Sequence, residues 1–280
     1  MQIALQQALK TGVAAARASG ALMRRHFHRP KKVNEEIQHD IKLELDVRSQ
    51  KLIERTLLKS FPRASVLGEE GTVGELGAAY RWVVDPIDGT VNFAYGIPHA
   101  CVSIALQRRV VGAEDAPVDQ SGSDFETVLG VVYDPFCDEL WTATRSGRAR
   151  LNGRGIKVST RARLREAIVT MGFAKYKWSL NATLPLFEVL IHRVRKVRIM
   201  GSAALALTYV ASGRLDAYLE GGIRLWDIAA GGLILERAGG EFWHRPLEGR
   251  PFSYELNANN GRIRRHIQNL AQRTATQKSR

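Results

Sequence analysis

Cysteine is almost missing from this chain, and its scarcity excludes several chemistries. Among 280 residues only Cys101 and Cys137 occur. They cannot build a disulfide framework, and no C-x-x-C pair offers a zinc or redox site. Long apolar runs are missing too. No window approaches about eighteen uninterrupted apolar residues, which argues against a membrane-spanning helix. The segment Met1 to Arg24 alternates apolar and polar residues, without the apolar run and small-residue cleavage site of a secretion signal. A cytoplasmic location is therefore expected. Acidic residues are few beside basic ones, 28 against 41, leaving a net charge of +13. Such a surplus attracts anions generally, so it suits a phosphate ester, RNA, DNA or an acidic partner alike. Most of these charges read as solvated surface. The remaining balance, 45% hydrophobic and 25% charged, is that of a soluble globular protein. Its length provides a core for one large domain or two joined halves.

Hydrophobic spacing supplies the elements. Ile3, Leu5, Ala8, Leu9, Val13, Ala16 and Leu22 predict an amphipathic helix over 3–27. A polar connector follows at 29–40, broken by Pro30. Leu45, Val47, Leu52, Ile53, Leu57 and Leu58 predict a second helix over 44–59. Strands are expected at 65–67, 81–84, 100–107, 127–133, 139–143, 168–171, 197–200 and 217–220. Helices are expected at 180–192, from Gly201 to about Gly213, and at 228–238. The strands at 100–107 and 127–133 read as a pair. The loop between them at 110–124 has the Gly, Pro, Ser and Asp content of an exposed excursion. The tail from residue 262 carries six Lys/Arg and no acid, and is expected to fray.

The strongest chemical signal is Asp85-Pro86-Ile87-Asp88-Gly89-Thr90, which directly follows the strand Arg81-Trp82-Val83-Val84. Two carboxylates three residues apart on a turn at a strand end can converge on one point. Pro86 stiffens that turn, and Gly89 lets backbone N–H groups approach an anion. Carboxylates without histidine or cysteine are hard oxygen ligands, which favours Mg²⁺ over zinc. Three further features accompany the motif. Gly68-Glu69-Glu70 follows a short strand, where tandem acids are costly unless solvated or metal-bound. Leu225-Trp226-Asp227 puts a carboxylate at the head of a helix, also a common capping position. Met200-Gly201-Ser202-Ala203-Ala204 turns a strand into a helix whose N–H groups form a natural phosphate seat. Each is an ordinary turn or cap by itself; their joint occurrence in this order points to a site.

These residues resemble the signature set of the inositol monophosphatase family: Gly68-Glu69-Glu70, Asp85 through Phe93, and Trp226-Asp227-Ile228-Ala229-Ala230-Gly231. The family belongs to the lithium-sensitive, metal-dependent sugar phosphatases that include fructose-1,6-bisphosphatases. The resemblance runs from the first helix to about residue 260. It implies an α+β fold, a layered α-β-α-β-α sandwich, as one domain over 1–265. Its halves would be about 1–145 and 146–265, with a basic tail at 266–280. It further implies Mg²⁺-dependent hydrolysis of a small phosphate monoester, an inositol or sugar phosphate, by water, in a homodimer. By the same resemblance Glu69, Asp85 and the carbonyl of Ile87 would hold one metal. Asp85, Asp88 and Asp227 would hold a second, and Glu69 would reach a third. The Gly89 and Thr90 backbone would grip phosphate, and Asp46 with the Thr90 hydroxyl would orient and help deprotonate the attacking water. Glu220 matches a position that binds substrate hydroxyls, and Gly201, Ser202, Ala203 and Ala204 a segment near substrate. Two or three magnesium ions are thus expected. Hydrolysis of a dianion gains from such ions about 4 Å apart, which neutralise charge and acidify water.

The pattern is not matched throughout. The family carries Asp-x-Val-Thr-x-x-Asp ahead of the second helix, and here Asp40 and Asp46 keep the spacing while Lys42-Leu43 replaces Val-Thr. Lys42 reads as solvated. His39, His99 and His244 receive no role. Trp178 reads as a packed surface aromatic. A rival reading comes from the Arg-rich stretch 145–165 and the basic tail: a protein that binds RNA or a transcription complex and keeps the phosphatase fold as a scaffold. No nucleic-acid motif supports it, and a pure scaffold has no need of clustered acids.

Overall fold

Apolar stretches of this chain pair into two sheets, and amphipathic ones pack between and outside them. The computed structural model describes residues 4–37, 40–75, 77–110, 124–173 and 177–278. In chain order the elements are α1 (Leu5–His26), β1 (Val33–Ile37), β2 (Asp40–Leu43), α2 (Glu44–Ser60), β3 (Ser65–Gly68), β4 (Gly71–Val73), β5 (Tyr80–Asp88), α3 (Thr90–Ala94), β6 (Cys101–Arg109), β7 (Phe125–Asp134), β8 (Glu139–Thr144), β9 (Arg150–Leu151) and β10 (Arg154–Gly155). Then come β11 (Ile168–Met171), α4 (Lys177–Ile191), β12 (Lys196–Arg198), α5 (Ala203–Ala211), β13 (Ala217–Arg224), α6 (Leu225–Arg237), β14 (Glu241–Pro246), β15 (Ser253–Asn259) and α7 (Arg264–Lys278).

The largest sheet has eight strands in the order β10-β9-β8-β7-β6-β5-β3-β4, the second has five in the order β12-β11-β13-β15-β14, and β1 with β2 forms a separate two-stranded pair. Period-two alternation along β5 separates two cores. Trp82 and Val84 face α1 and α2, where they pack with Ala16, Met23, Ile53 and Leu57. Val83 faces the opposite side, toward Leu205, Leu207, Ile228 and Leu233 of α5 and α6. The second sheet closes on those helices through Tyr218 and Leu256. Its outer face is covered by Leu190 of α4 and Ile267 and Leu270 of α7, packed on Val169 and Leu219. The result is the layered α-β-α-β-α sandwich. No described helix is long and apolar enough to cross a membrane.

Helix α1 lies close to the sheet because its buried stripe is small: Ala8, Gly12, Ala15, Ala16, Ser19 and Gly20 recur at helical spacing. The hydroxyls of Ser19 and Ser49 share a hydrogen bond that ties α1 to α2.

Three expectations need correction. The connector at 29–40 contains β1, which pairs antiparallel with β2; its polar, short strands carry no apolar alternation to reveal them. The tail does not fray from residue 262. Residues 264–278 form α7, whose Ile267 and Leu270 are buried beside Ile263. The density of arginine conceals that i, i+4, i+7 apolar face. No strand was expected after Gly240, yet β14 and β15 pair antiparallel with each other, and β15 with β13. Residues 111–123, within the 110–124 loop, lie outside the described residues.

Candidate active site

A break in strand pairing brings the first two carboxylates together. In a regular strand, residues three apart face opposite sides. Here Asp85 pairs with Ser103 and Asp88 with Cys101, so three steps on β5 match two on β6. The extra residue is a bulge, and it turns Asp85 and Asp88 to one side. The Ile87 N–H donates to Asp85 Oδ1 at 2.9 Å, fixing the bulge from within. Across the site, Ser103 donates to the Trp226 carbonyl at 3.0 Å. That bond docks the first turn of α6 over β5 and brings in Asp227. Carboxylate oxygens of Asp85, Asp88 and Asp227 all lie within 4.8 Å of one another.

Two of the acids double as helix-terminal groups. Asp227, at the third position of α6, accepts the Arg224 N–H at 3.0 Å. Asp46, at the same position of α2, accepts the Leu43 N–H at 2.7 Å. Both bonds satisfy orphan donors at a helix start. The sequence placed Asp227 just ahead of its helix; the helix in fact starts at Leu225. Glu69 leaves β3 with its N–H bonded to the Val84 carbonyl. The adjacent Glu70 N–H donates to Gln50 Oε1 at 2.9 Å. Gln50 therefore fixes this turn from α2, a role no local pattern announced.

Glu69, Asp85, Asp88 and Asp227 floor a cavity of about 660 Å³ between the two sheets; Asp46 is buried and is not among its lining residues. Gly89 lies on its wall with φ +94°, and a Cβ there would come within 2.9 Å of the His99 carbonyl oxygen. Only glycine fits this left-handed turn. Thr90 begins α3 and donates its hydroxyl to the Ile87 carbonyl at 2.8 Å. Gly201, Ser202 and Ala203 line the wall opposite. Their amides are disposed differently from the expectation. Asp88 Oδ2 accepts the Ser202 hydroxyl at 2.6 Å and the Ala204 N–H at 2.7 Å, and Oδ1 accepts the Ala203 N–H at 3.1 Å. The start of α5 is thus capped by Asp88, and the amides of Ala203 and Ala204 are committed to it rather than open to phosphate. Farther in, Glu220 is bonded to the Tyr218 hydroxyl. A Cβ at Gly172 would overlap the Glu220 carboxylate at 1.6 Å, so that acid needs the glycine.

The electrostatics show what the cluster calls for. Asp46, Asp85 and Asp88 are 3%, 2% and 7% exposed. Burial pushes the Asp85 carboxyl well above its ordinary value, and the charges of Glu69, Asp88, Asp227 and Asp46 push it further. Asp227 is raised in the same way, by burial first and then by Asp88 and Glu69. Burial also raises Asp88, against the hydrogen bonds from Ser202, Ala204, Ala203 and Cys101. The main charges acting on Asp85 are all acidic, and a dry cluster of like charges is unstable without a cation. An all-oxygen donor set of this kind fits a hard divalent ion such as Mg²⁺.

Several contributors escaped the sequence reading. Asn92 sits two residues past Thr90 and donates to the carbonyls of His99 and Met200, both at 2.9 Å, pinning the motif turn to the opposite half. Tyr218 lines the cavity and holds Glu220. Lys42, expected in solvent, also lines the cavity. Trp178 is not among the lining residues and lies under the Arg250 guanidinium, 4.8 Å away. His39 lies outside the described residues.

A five-layered α+β sandwich with three buried or half-buried acids converging at its junction defines a class of site suited to a hard divalent cation. The comparisons with known proteins narrow this. The model of the inositol monophosphatase family matches residues 4–277. A protein of Xylella fastidiosa named Nus factor SuhB is 38% identical over 231 residues, 81% of this chain and 78% of that one. An inositol-1-monophosphatase of Rhizobium meliloti is 38% identical over 208 residues, 73% of this chain and 71% of that one. Among solved structures, the extragenic suppressor protein suhB from Bartonella henselae superimposes with a TM-score of 0.82 at 30% identity, covering 94% of this chain and 97% of that one. This chain belongs to the inositol monophosphatase family.

Proposed function

We propose that this protein hydrolyses a small phosphate monoester of a polyol or sugar, with Mg²⁺, releasing inorganic phosphate. The observation that carries this reading is the trio Asp85, Asp88 and Asp227, converging within 4.8 Å on the floor of a 660 Å³ cavity. Glu69, Asp85, the Ile87 carbonyl, Asp88 and Asp227 would hold two or three Mg²⁺, which supply charge neutralisation and a more acidic water when bound. The Gly89 and Thr90 amides bind phosphate oxygens, where fixed donors are most useful as charge develops. The Thr90 hydroxyl and Asp46 orient the attacking water, and the Asp46 carboxylate receives its proton. Glu220, held by Tyr218, accepts a substrate hydroxyl, and Gly201, Ser202 and Ala203 shape the facing wall. In-line attack forms a new P–O bond as the ester P–O bond breaks. The leaving alkoxide takes up a proton from solvent water, and no phosphoenzyme forms.

A cytoplasmic, lithium-sensitive homodimer belongs to the same proposal. Both cysteines are free. Val91 and Ile199 at the cavity rim, with Tyr95 and Ile97 after α3, leave exposed apolar surface that a second copy would cover. The test is a phosphate-release screen over inositol, sugar and nucleotide phosphates, with and without Mg²⁺ and Li⁺. Release that requires Mg²⁺ and is abolished in Asp88→Asn supports the proposal. No release from any ester, or release unchanged in the variant, overturns it.

A second reading is favoured by the relatives named Nus factor SuhB and by the net charge of +13: binding of RNA or a transcription complex. It predicts association that weakens steeply with salt and survives Asp88→Asn. Both roles are compatible in one molecule.

A further inference from the structure

A second cavity, of about 370 Å³, lies where α6 meets β6, β7 and the β14–β15 pair. It shares no lining residue with the active site. Phe125, Leu225, Ile228, Leu233, Phe242 and Tyr254 make its interior largely apolar. At its rim Arg145 pairs with Glu126 at 3.0 Å and with Glu236 at 2.7 Å. That cation is already matched by two acids and offers nothing to an anion.

Behind the wall stands a buried guanidinium with unpartnered N–H groups. Arg81 of β5 is 0% exposed. Its Nε donates to Gln107 Oε1 at 2.8 Å, its cross-strand partner on β6. Nη1 and Nη2 find no hydrogen-bond partner among the described residues. A guanidinium has five N–H groups, so four remain unsatisfied in the interior, where each is costly. The guanidinium lies 3.6 Å from the centre of the Phe125 ring. Burial draws its pKa down to about 10, against the opposing pull of Tyr254 and Asp124. Gln107 and Phe125 both face the cavity, so displacing the Phe125 ring joins Arg81 to it.

We propose that this cavity binds a small monocarboxylate with an apolar body, its two oxygens paired with the Arg81 guanidinium. The planar fork of arginine matches a carboxylate in a bidentate manner. One buried positive charge balances one negative charge, whereas a phosphate dianion would remain half uncompensated in a dry site. The aromatic and aliphatic walls take up the organic body, and a cavity of this size is within the range of small-ligand sites.

The experiment is isothermal titration of the full chain in chelator with hexanoate and phenylacetate, with acetate and inorganic phosphate as controls. Wild type, Arg81→Met and the cavity-filling Ala229→Leu are compared. At least one apolar carboxylate is expected to bind with a dissociation constant below about 1 mM, and each variant to weaken it about tenfold or more. Inorganic phosphate is expected not to compete. Absence of saturable binding by wild type, equal binding by Arg81→Met, or displacement by phosphate overturns the proposal. Should Arg81→Met fail to fold, the comparison of wild type with Ala229→Leu decides the outcome in the same way.

Discussion

Replacing Asp85 with asparagine separates two consequences of the same cluster. The Asn side chain keeps an oxygen for the Ile87 N–H, now 2.9 Å from Asp85 Oδ1, so the bulge persists. What disappears is a buried negative charge among Glu69, Asp88, Asp227 and Asp46. At 4.8 Å, the outer limit among Asp85, Asp88 and Asp227, and an effective dielectric near 20, two ionised carboxylates repel by about 3.5 kcal/mol. Part of that is relieved in the wild type by proton uptake. The metal-free variant is therefore expected to gain about 1–3 kcal/mol of stability. The same change removes a proposed bridging metal ligand, so Mg²⁺-dependent phosphate release is expected to fall by about a hundredfold or more. Urea unfolding in chelator at pH 7, beside steady-state kinetics, reads both. A variant less stable than wild type in chelator, or one that retains full activity, would refute the reasoning.

The raised carboxyls also set a pH dependence. Asp85 and Asp227 bind protons more tightly in the folded chain than in the unfolded one. Their favourable contribution is complete below the ordinary carboxylate range and is lost as pH rises through the raised folded values. Mg²⁺ must displace those protons, so its affinity is expected to rise with pH across the same window, by up to about tenfold per unit for each proton released; titration at several pH values checks this. Gly89→Ala forces a Cβ against the His99 and Gly201 carbonyls at 2.9 and 3.1 Å with φ +94°. A loss of about 2–4 kcal/mol in urea unfolding is expected. Asn92→Ala removes the bonds to His99 and Met200; a stability loss of about 1–3 kcal/mol with a lowered kcat is expected. Tyr218→Phe removes the hydroxyl bonded to Glu220, and a KM raised about three- to tenfold with kcat nearly unchanged is expected from kinetics on a polyol phosphate.

The long amphipathic helices α1 and α2, the hairpin of β6 and β7, and the order of acidic motifs were legible because each carries a strong local signal. Hydrophobic spacing marked the helices, and the Asp85–Thr90 turn concentrated carboxylates, proline and glycine in six residues. The bulge was not legible, since one extra residue in a pairing depends on β6 as much as on β5. The role of Asp88 at the start of α5 joins residues 114 or more positions apart. No periodicity reports such a contact, and the same amides read from sequence as a phosphate seat. Asn92 stood inside the recognised motif, but its partners Met200 and His99 are set by the packing of the two halves. Arg81 looked like one more basic residue at a strand start; only the closed sheet makes it fully buried.

Glu69, Asp85, Asp88 and Asp227 are expected to enclose hard divalent cations. Anomalous diffraction from crystals grown with Mn²⁺ in place of Mg²⁺ tests this expectation most directly. Strong peaks coordinated by these four side chains are the predicted result. Density showing the carboxylates without bound metal at saturating Mn²⁺, or metal held only elsewhere, would contradict it.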